Sequence, residues 1–322
     1  MTDMTYGSQE AGMKSIVRLA LALALGVAMA TPAWADLKVA TSLTDLASVA
    51  QYVGGKHVTA QSLCRGYEDP HFVPAKPSLM KAIQHADVFI STGLELDGGW
   101  LPLVLPGSRN PRIQPGAKGF VDGSEGVHVL EKPVGTVSRA EGDIHPLGNP
   151  HYYLDPKALE VVADHLAEVF SRQDPANAAD YAANAKKFDE RMDESLVKWQ
   201  KELEPYKGTA IVPYHKNFVY FIDRFGLREF GDVEPKPGIP PTPRHIAELA
   251  EAMKKAGVKV VVYQPYYKAD ASNEVAKRAG GTAIEVASEV GGLPGTDDVF
   301  AKFDALVASL VGALSGKSGG SK

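Results

Sequence analysis

The stretch Ala176–Leu203, ANAADYAANAKKFDERMDESLVKWQKEL, contains neither proline nor glycine and is dominated by Ala, Lys, Asp and Glu. Its apolar residues Tyr181, Phe188, Met192, Leu196 and Trp199 recur at helical spacing, so the stretch predicts one amphipathic helix. At 1.5 Å per residue that helix is roughly 40 Å long, enough to run along a whole two-lobed molecule. An ordinary long core helix has the same pattern, so the segments on either side carry the decision.

Both sides alternate strand and helix. Before the long helix, Leu37–Thr41 reads as a strand. Ser42–Val53 reads as a helix, with Ser42 or Thr44 as its cap and Gly54-Gly55 as its stop. Val58–Leu63 is a strand, Ser78–His85 a short helix, Asp87–Ser91 a strand, and Pro156–Phe170 a helix capped by Asp155. After it, Thr209–Val212, Val258–Tyr263 and Thr282–Val286 are strands. They alternate with helices at Phe218–Phe225, Thr242–Ala256, Ala269–Ala279 and Asp297–Leu314. Such alternation predicts an α/β fold of parallel sheets flanked by helices, with ligand sites at the carboxyl ends of strands.

The chain opens with a basic segment, Met13–Arg18, an apolar run Leu19–Met29, and Ala33-Trp34-Ala35 before Asp36. This is the pattern of a cleaved export signal, with either Met1 or Met13 as the start; the run is too short and alanine-rich for a membrane span. The expected organisation is a signal peptide at 1–35, a lobe at 36–175, the long helix at 176–206, a second lobe at 207–314 and a flexible tail at 315–322. The expected address is the periplasm. The single cysteine, Cys64, rules out a disulfide within one chain and is expected to be a buried small hydrophobe. A formal net charge of -5 without a basic block argues against nucleic acid as a partner.

Three of the nine histidines stand in contexts that can aim a side chain into a cleft. His71 follows Glu68-Asp69-Pro70, His151 follows Gly148-Asn149-Pro150, and His215 follows a short apolar run ending in Pro213-Tyr214. Three imidazoles from distant parts of a chain are the raw material of a transition-metal site. His145, six residues before His151, is either an auxiliary capture ligand or a surface-loop residue; His57, His85, His128, His165 and His245 are expected on solvated faces.

These segments resemble a known family. Glu68–His71 with Pro77-Ser78, Asn149–Pro156, His215–Phe221 with Phe225–Leu227, and Gly238–Pro243 with Ala247–Leu249 are similar, in order, to segments of the cluster A-I solute-binding proteins. Those are periplasmic zinc and manganese receptors of ABC importers. The resemblance implies two similar lobes joined by one long rigid helix, with the metal in the cleft between them. It implies His71 and His151 as ligands from the first lobe and His215 from the second. The family's fourth ligand is an Asp near the C-terminus; here Ile284–Gly292 has none, and alignment on Gly292 puts Glu289 in its place. Glu285, Ser288, a water or an open position are the alternatives.

Imidazole-rich ligation favours Zn(II), with Mn(II) or Fe(II) as the alternative cargo. The resemblance implies a monomer that serves an ABC importer permease, with a periplasmic metallochaperone as a candidate second partner. It does not imply an enzyme. A zinc hydrolase is the competing reading, because three histidines with an open position can activate water; no His-Glu-x-x-His pair supports it. An adhesin or a metal store is a third. If the long helix fixes the lobes, metal exchange should use loop motion at 143–149 and 288–296 rather than hinge closure.

Overall fold

A computed structural model describes residues 36–135 and 145–316. The expected export signal at 1–35, the residues 136–144 before His145, and the expected tail beyond Gly316 therefore lie outside the described residues. From Leu37 onward the chain forms one compact unit.

The first sheet is built from β1 (Leu37–Thr41), β2 (Val58–Ser62), β3 (Val88–Ser91) and β4 (Phe120–Asp122), in the order β2-β1-β3-β4. The second comprises β5 (Ala210–Pro213), β6 (Arg228–Glu229), β7 (Val260–Tyr263) and β8 (Thr282–Glu285), in the order β6-β5-β7-β8. All pairings are parallel. In each sheet the second strand of the half lies on one side of the first and the third lies on the other. The switch point therefore falls beside β1 in one sheet and beside β5 in the other, which is where a doubly wound sheet opens a crevice.

The helices are α1 (Thr44–Gly54), α2 (Pro77–Ala82), α3 (Leu101–Gly107), α4 (Pro156–Gln173), α5 (Ala178–Leu203), α6 (Val219–Phe225), α7 (Pro243–Ala256), α8 (Ala269–Ala279) and α9 (Val299–Leu314). The long helix α5 begins after a 3-10 turn at Pro175–Asn177 and buries Tyr181, Ala185, Phe188, Met192, Leu196, Trp199 and Leu203. It packs on α1 and α4 from the first half and on α9 from the second. One apolar core runs from Val39 and Leu46 through Phe188 and Trp199 to Val260 and Phe303. The two sheets thus share a continuous core along α5.

Three elements were invisible to pattern reading. Helix α3 carries Pro102 in its first turn, where its missing N–H would be unpaired anyway, and Pro106 inside the helix, where the bond its N–H would have made is lost. Strands β4 and β6 are too short to show a period. The expected cap of α1 also differs: Leu43 holds the cap position without a side-chain bond. Ser42 faces across the switch point instead, where its hydroxyl meets Thr92 Oγ1 at 2.8 Å and accepts from Thr92 N at 2.8 Å.

The halves are also joined by a buried ion pair. Lys302 on α9 and Asp45 on α1 are both fully buried. Lys302 Nζ donates to Asp45 Oδ1 at 2.6 Å and to the Tyr153 carbonyl at 2.9 Å, while Val290 N donates to Asp45 Oδ2 at 3.0 Å. Removing one partner of such a pair strands a charge in the core. Lys302→Met should therefore lower unfolding stability by about 3–5 kcal/mol in urea denaturation; a loss below about 1 kcal/mol, the value of an exposed pair, would contradict the buried joint.

Candidate metal centre

The sequence Asp69-Pro70-His71 and the sequence Asn149-Pro150-His151 fold into the same local device. In each, the side-chain oxygen two residues before the histidine accepts twice. Asp69 Oδ1 takes His71 N at 3.0 Å and lies 2.8 Å from His71 Nδ1. Asn149 Oδ1 takes His151 N at 3.1 Å and lies 2.9 Å from His151 Nδ1. The intervening proline has no N–H to compete and fixes its own φ. The ring is thereby locked with Nδ1–H turned inward on its own turn and Nε2 turned outward. Trp100 Nε1 holds the first turn in place through the Pro70 carbonyl at 2.9 Å.

His215 reaches the same state by a different route. It follows β5 directly, and its Nδ1 lies 2.7 Å from Glu234 Oε2. Glu234 arrives because the chain after β6 continues alongside β5, with Val233 N donating to Pro213 O at 2.9 Å and Glu234 N to Tyr214 O at 2.8 Å. Both His215 and Glu234 are buried.

These turns bring His71, His151 and His215 together, with one nitrogen from each ring lying within 4.8 Å of the others. The ring centroids are 5.1 Å, 5.2 Å and 5.4 Å apart. Imidazoles bound through Nε2 to a tetrahedral zinc at about 2.0–2.1 Å would have centroids about 5 Å apart, so little rearrangement is needed. The Nε2 atoms of His71 and His151 are buried with no hydrogen-bond partner. Unpartnered buried nitrogens are unfavourable in a protein that binds nothing there and are the right donors for a cation. Burial, then the charges of neighbouring imidazoles, pushes His151 well below its ordinary value, and burial lowers His215 as well despite Glu234. Both rings are thus held neutral, as ligation requires. Asp69 is raised by burial, but the His71 hydrogen bond and charge together hold it below the ordinary carboxylate range.

The site is stitched across both halves. Asn149 Nδ2 donates to the Lys216 carbonyl at 2.9 Å, and Tyr220 Oη donates to the Asn149 carbonyl at 2.7 Å. Arg224 on α6 clasps Asp155, the cap of α4, through Nε at 2.7 Å and Nη2 at 2.8 Å.

Glu289 is not brought into this group of three. It is fully buried, and its carboxyl accepts from Tyr153 Oη at 2.9 Å, Ser288 Oγ at 2.5 Å and, more weakly, Tyr266 Oη at 3.4 Å. Its carboxyl thus lies in a hydrogen-bonded position beside the Asp45–Lys302 pair. Its neighbour Ser288 is buried in the same cluster, and Glu285 is an exposed strand end, also outside the trio. In the segment 288–296, Ser288, Glu289, Val290 and Thr296 are buried and Gly291 N bonds Thr296 O at 2.7 Å, while Gly291, Pro294 and Gly295 are exposed. Residues 143 and 144 of the other expected mobile segment lie outside the described residues.

Sequence reasoning missed Asp69, Asn149 and Glu234 as the groups that orient the rings. The repeated acceptor-Pro-His triplet was the available signal for the first two. No local signal exists for Glu234, which pairs with His215 only through the sheet.

Two parallel sheets of matched order, with three histidines brought together from the loops of both halves, have the architecture of a solute receptor. Residues 39–313 match the family model of ZnuA, the periplasmic component A of the zinc-uptake complex, and the chain belongs to this family of cluster A-I solute-binding proteins. The high-affinity zinc uptake system protein ZnuA of Paracoccus denitrificans is 31% identical over 245 residues, covering 65% of this chain and 70% of that protein. The protein of the same name from Brucella abortus is 29% identical over 118 residues, covering 37% of this chain and 35% of its own length, so that match spans about a third of the relative. A crystal structure of ZnuA superposes with a TM-score of 0.73 at 18% identity, over 86% of this chain and 99% of the other, which establishes the fold. Among the described residues, no helix is long and apolar enough to cross a membrane.

Burial, reinforced by the Asp45 charge, raises the Glu289 carboxyl to about 8, against the hydrogen bonds from Ser288 and Tyr153 and the charge of Lys302. The folded protein therefore keeps a proton that the unfolded chain releases near 4.5. The stability this contributes is complete below that lower value and is lost as pH rises through about 8. Glu289→Gln should remove this loss, so its melting temperature should rise relative to wild type between about pH 5 and about pH 9. Parallel melting curves across that range would contradict the burial of an ionisable carboxyl there.

Proposed function

We propose that this chain is a periplasmic receptor that captures one zinc ion on His71, His151 and His215 and delivers it to the membrane permease of an ABC importer. The observation that carries the proposal is the set of three rings whose Nδ1 atoms are each held by a protein acceptor, with their other nitrogens converging. A nitrogen-rich donor set favours Zn(II) over Mn(II) by the general affinity order of divalent metals. Membership of the zinc-uptake family supports the same cargo, the same compartment and the same class of membrane partner. A periplasmic metallochaperone is a candidate metal donor, and a monomer is the expected working form.

Receptor chemistry also fits better than hydrolysis. A zinc hydrolase needs a carboxylate or histidine free to take a proton from metal-bound water. Here Asp69 and Glu234 each hold a ligand ring, and Glu289 is bonded to Ser288 and two tyrosines. The polar groups closest to the trio orient ligands, which is the arrangement for holding a cation rather than turning over a substrate.

Competition titration against a zinc chelator, on protein stripped of metal, tests this reading. The expected result is one zinc per chain, with Mn(II) bound more weakly and with stoichiometric binding abolished in His215→Ala. Removing the orienting carboxylate in Glu234→Ala should weaken zinc by about 10–100-fold while leaving the stoichiometry unchanged. Absence of zinc binding, or binding indifferent to both substitutions, would refute the site.

A further inference from the structure

The turns that carry His151 and His215 belong to opposite halves of the molecule, and one side chain bonds to both. Glu131 Oε1 lies 2.8 Å from Nζ of Lys216, the residue after His215, and Glu131 Oε2 accepts from Asn149 Nδ2 at 3.2 Å. Asn149 is the residue whose Oδ1 takes Nδ1 of His151. Glu131, Asn149, His151, His215 and Lys216 all line one cavity. The carboxylate thus stands one residue removed from two rings of the trio without belonging to it.

The Asn149 amide gives that carboxylate its task. An asparagine side chain has an acceptor end and a donor end, and an ionised carboxylate only accepts. Oδ1 faces His151, and the Nδ2 hydrogens go to the Lys216 carbonyl at 2.9 Å and to Glu131. Turning the amide over would set Oδ1 against Glu131 and the Lys216 carbonyl, and Nδ2 against the ring. His151 would then accept at Nδ1 and carry its proton on Nε2, which removes the donor that a cation needs.

The backbone is arranged to put Glu131 there. Leu130 N donates to Tyr220 Oη at 3.1 Å, Tyr220 Oη donates to the Asn149 carbonyl at 2.7 Å, and Asn149 N donates to the Leu130 carbonyl at 2.9 Å. This closed triangle ties the segment before Glu131 to the His151 turn and to α6. Gly148 admits the segment this closely, since a Cβ there would lie 2.3 Å from Val129 Cγ1 and 3.0 Å from the Leu130 carbonyl oxygen. Glu131 itself has a φ of 50°, in the left-handed region where a side chain is strained and glycine is not. Such strain persists where neighbours over-determine it and gathers at functional sites. The ion pair with Lys216 does not account for it, because both side chains are more than a third exposed and such pairs add little to stability.

We propose that Glu131 is a positioning residue of the zinc site, which fixes the Asn149 amide with Oδ1 toward His151 and ties that turn to the His215 turn through Lys216. The proposal rests on the zinc-receptor reading and names the residue that aligns two of its three ligands across the halves. Glu131 touches no metal and acts only through Asn149 and Lys216. One position therefore sets backbone comfort against alignment. Glycine relieves the strained φ and loses the carboxylate. Glutamine keeps the strained φ and keeps an acceptor for Asn149 Nδ2.

Three measurements on wild type, Glu131→Gly and Glu131→Gln test the assignment: zinc affinity by chelator competition, melting of the metal-free protein, and imidazole nitrogen NMR of the metal-free protein. Glu131→Gly should bind zinc about tenfold more weakly, the low end of the effect of removing a group that orients a ligand. Its metal-free form should melt no lower than wild type, and His151 should show a second tautomer protonated at Nε2. Glu131→Gln should keep the wild-type tautomer and an affinity closer to wild type than to Glu131→Gly. The proposal is overturned if Glu131→Gly matches wild type in affinity or in the His151 tautomer. It is also overturned if affinity and melting temperature fall together in Glu131→Gly, as a merely structural role requires, or if Glu131→Gln loses as much affinity as Glu131→Gly. Failure of wild type to bind zinc would instead overturn the receptor reading, while the tautomer, read without metal, still decides whether Glu131 holds the Asn149 amide.

Discussion

A buried neutral imidazole has one N–H to donate and one nitrogen to offer, and the protein must decide which is which. In this chain the decision is made three times in the same way. Asp69, Asn149 and Glu234 each take Nδ1 of a histidine, at 2.8 Å, 2.9 Å and 2.7 Å, so Nε2 is left as the donor for a cation. Rotating any one ring would break that bond inside a low-dielectric site, where an unsatisfied polar group costs about 1–3 kcal/mol. The geometry of the trio is therefore held by the protein itself, so a cation captured there as proposed would not have to order its donors first. The rings and their acceptors come from both sheets, so the site also records how the two halves are placed.

That placement rests on a polar joint beneath the site. Lys302 bonds Asp45 and the carbonyl of Tyr153, two residues after His151, while Tyr153 Oη bonds Glu289 and Val290 N bonds Asp45. Helix α9, the segment after β8, helix α1 and the His151 turn are thus tied through one cluster of buried groups. Above it, the core along α5 is continuous between the halves. A wide hinge would have to open that core and expose the ion pair.

Much of this was legible in the chain. The proline- and glycine-free run around Phe188 and Met192 announced α5, and Gly226 and Gly257 ended α6 and α7 in the left-handed conformation that glycine favours. Asp155 and Thr242 cap their helices as their positions suggested. The three histidines stood out because each sits at an element boundary. What pattern could not supply was contact between distant residues. The pairing of Glu234 with His215 depends on which strand lies beside β5, and the burial of Glu289 depends on α9 and on Tyr153. Glu289 was read as a ligand by alignment with the family's C-terminal segment on Gly292; its bonds to the adjacent Ser288 and to the distant Tyr153 could not be read there. Helix α3 was hidden because Pro102 and Pro106 within seven residues read as helix breakers, and Pro106 does stand inside it.

The account stands or falls on the convergence of three Nε2 atoms on one ion. Anomalous diffraction at the zinc edge, from crystals grown with zinc, locates that ion directly. The prediction is a single strong peak at about 2.0–2.1 Å from Nε2 of His71, His151 and His215, with the three Nδ1 bonds to Asp69, Asn149 and Glu234 retained. A peak coordinated through Nδ1, a peak among the surface carboxylates away from the trio, or no peak at all would contradict it.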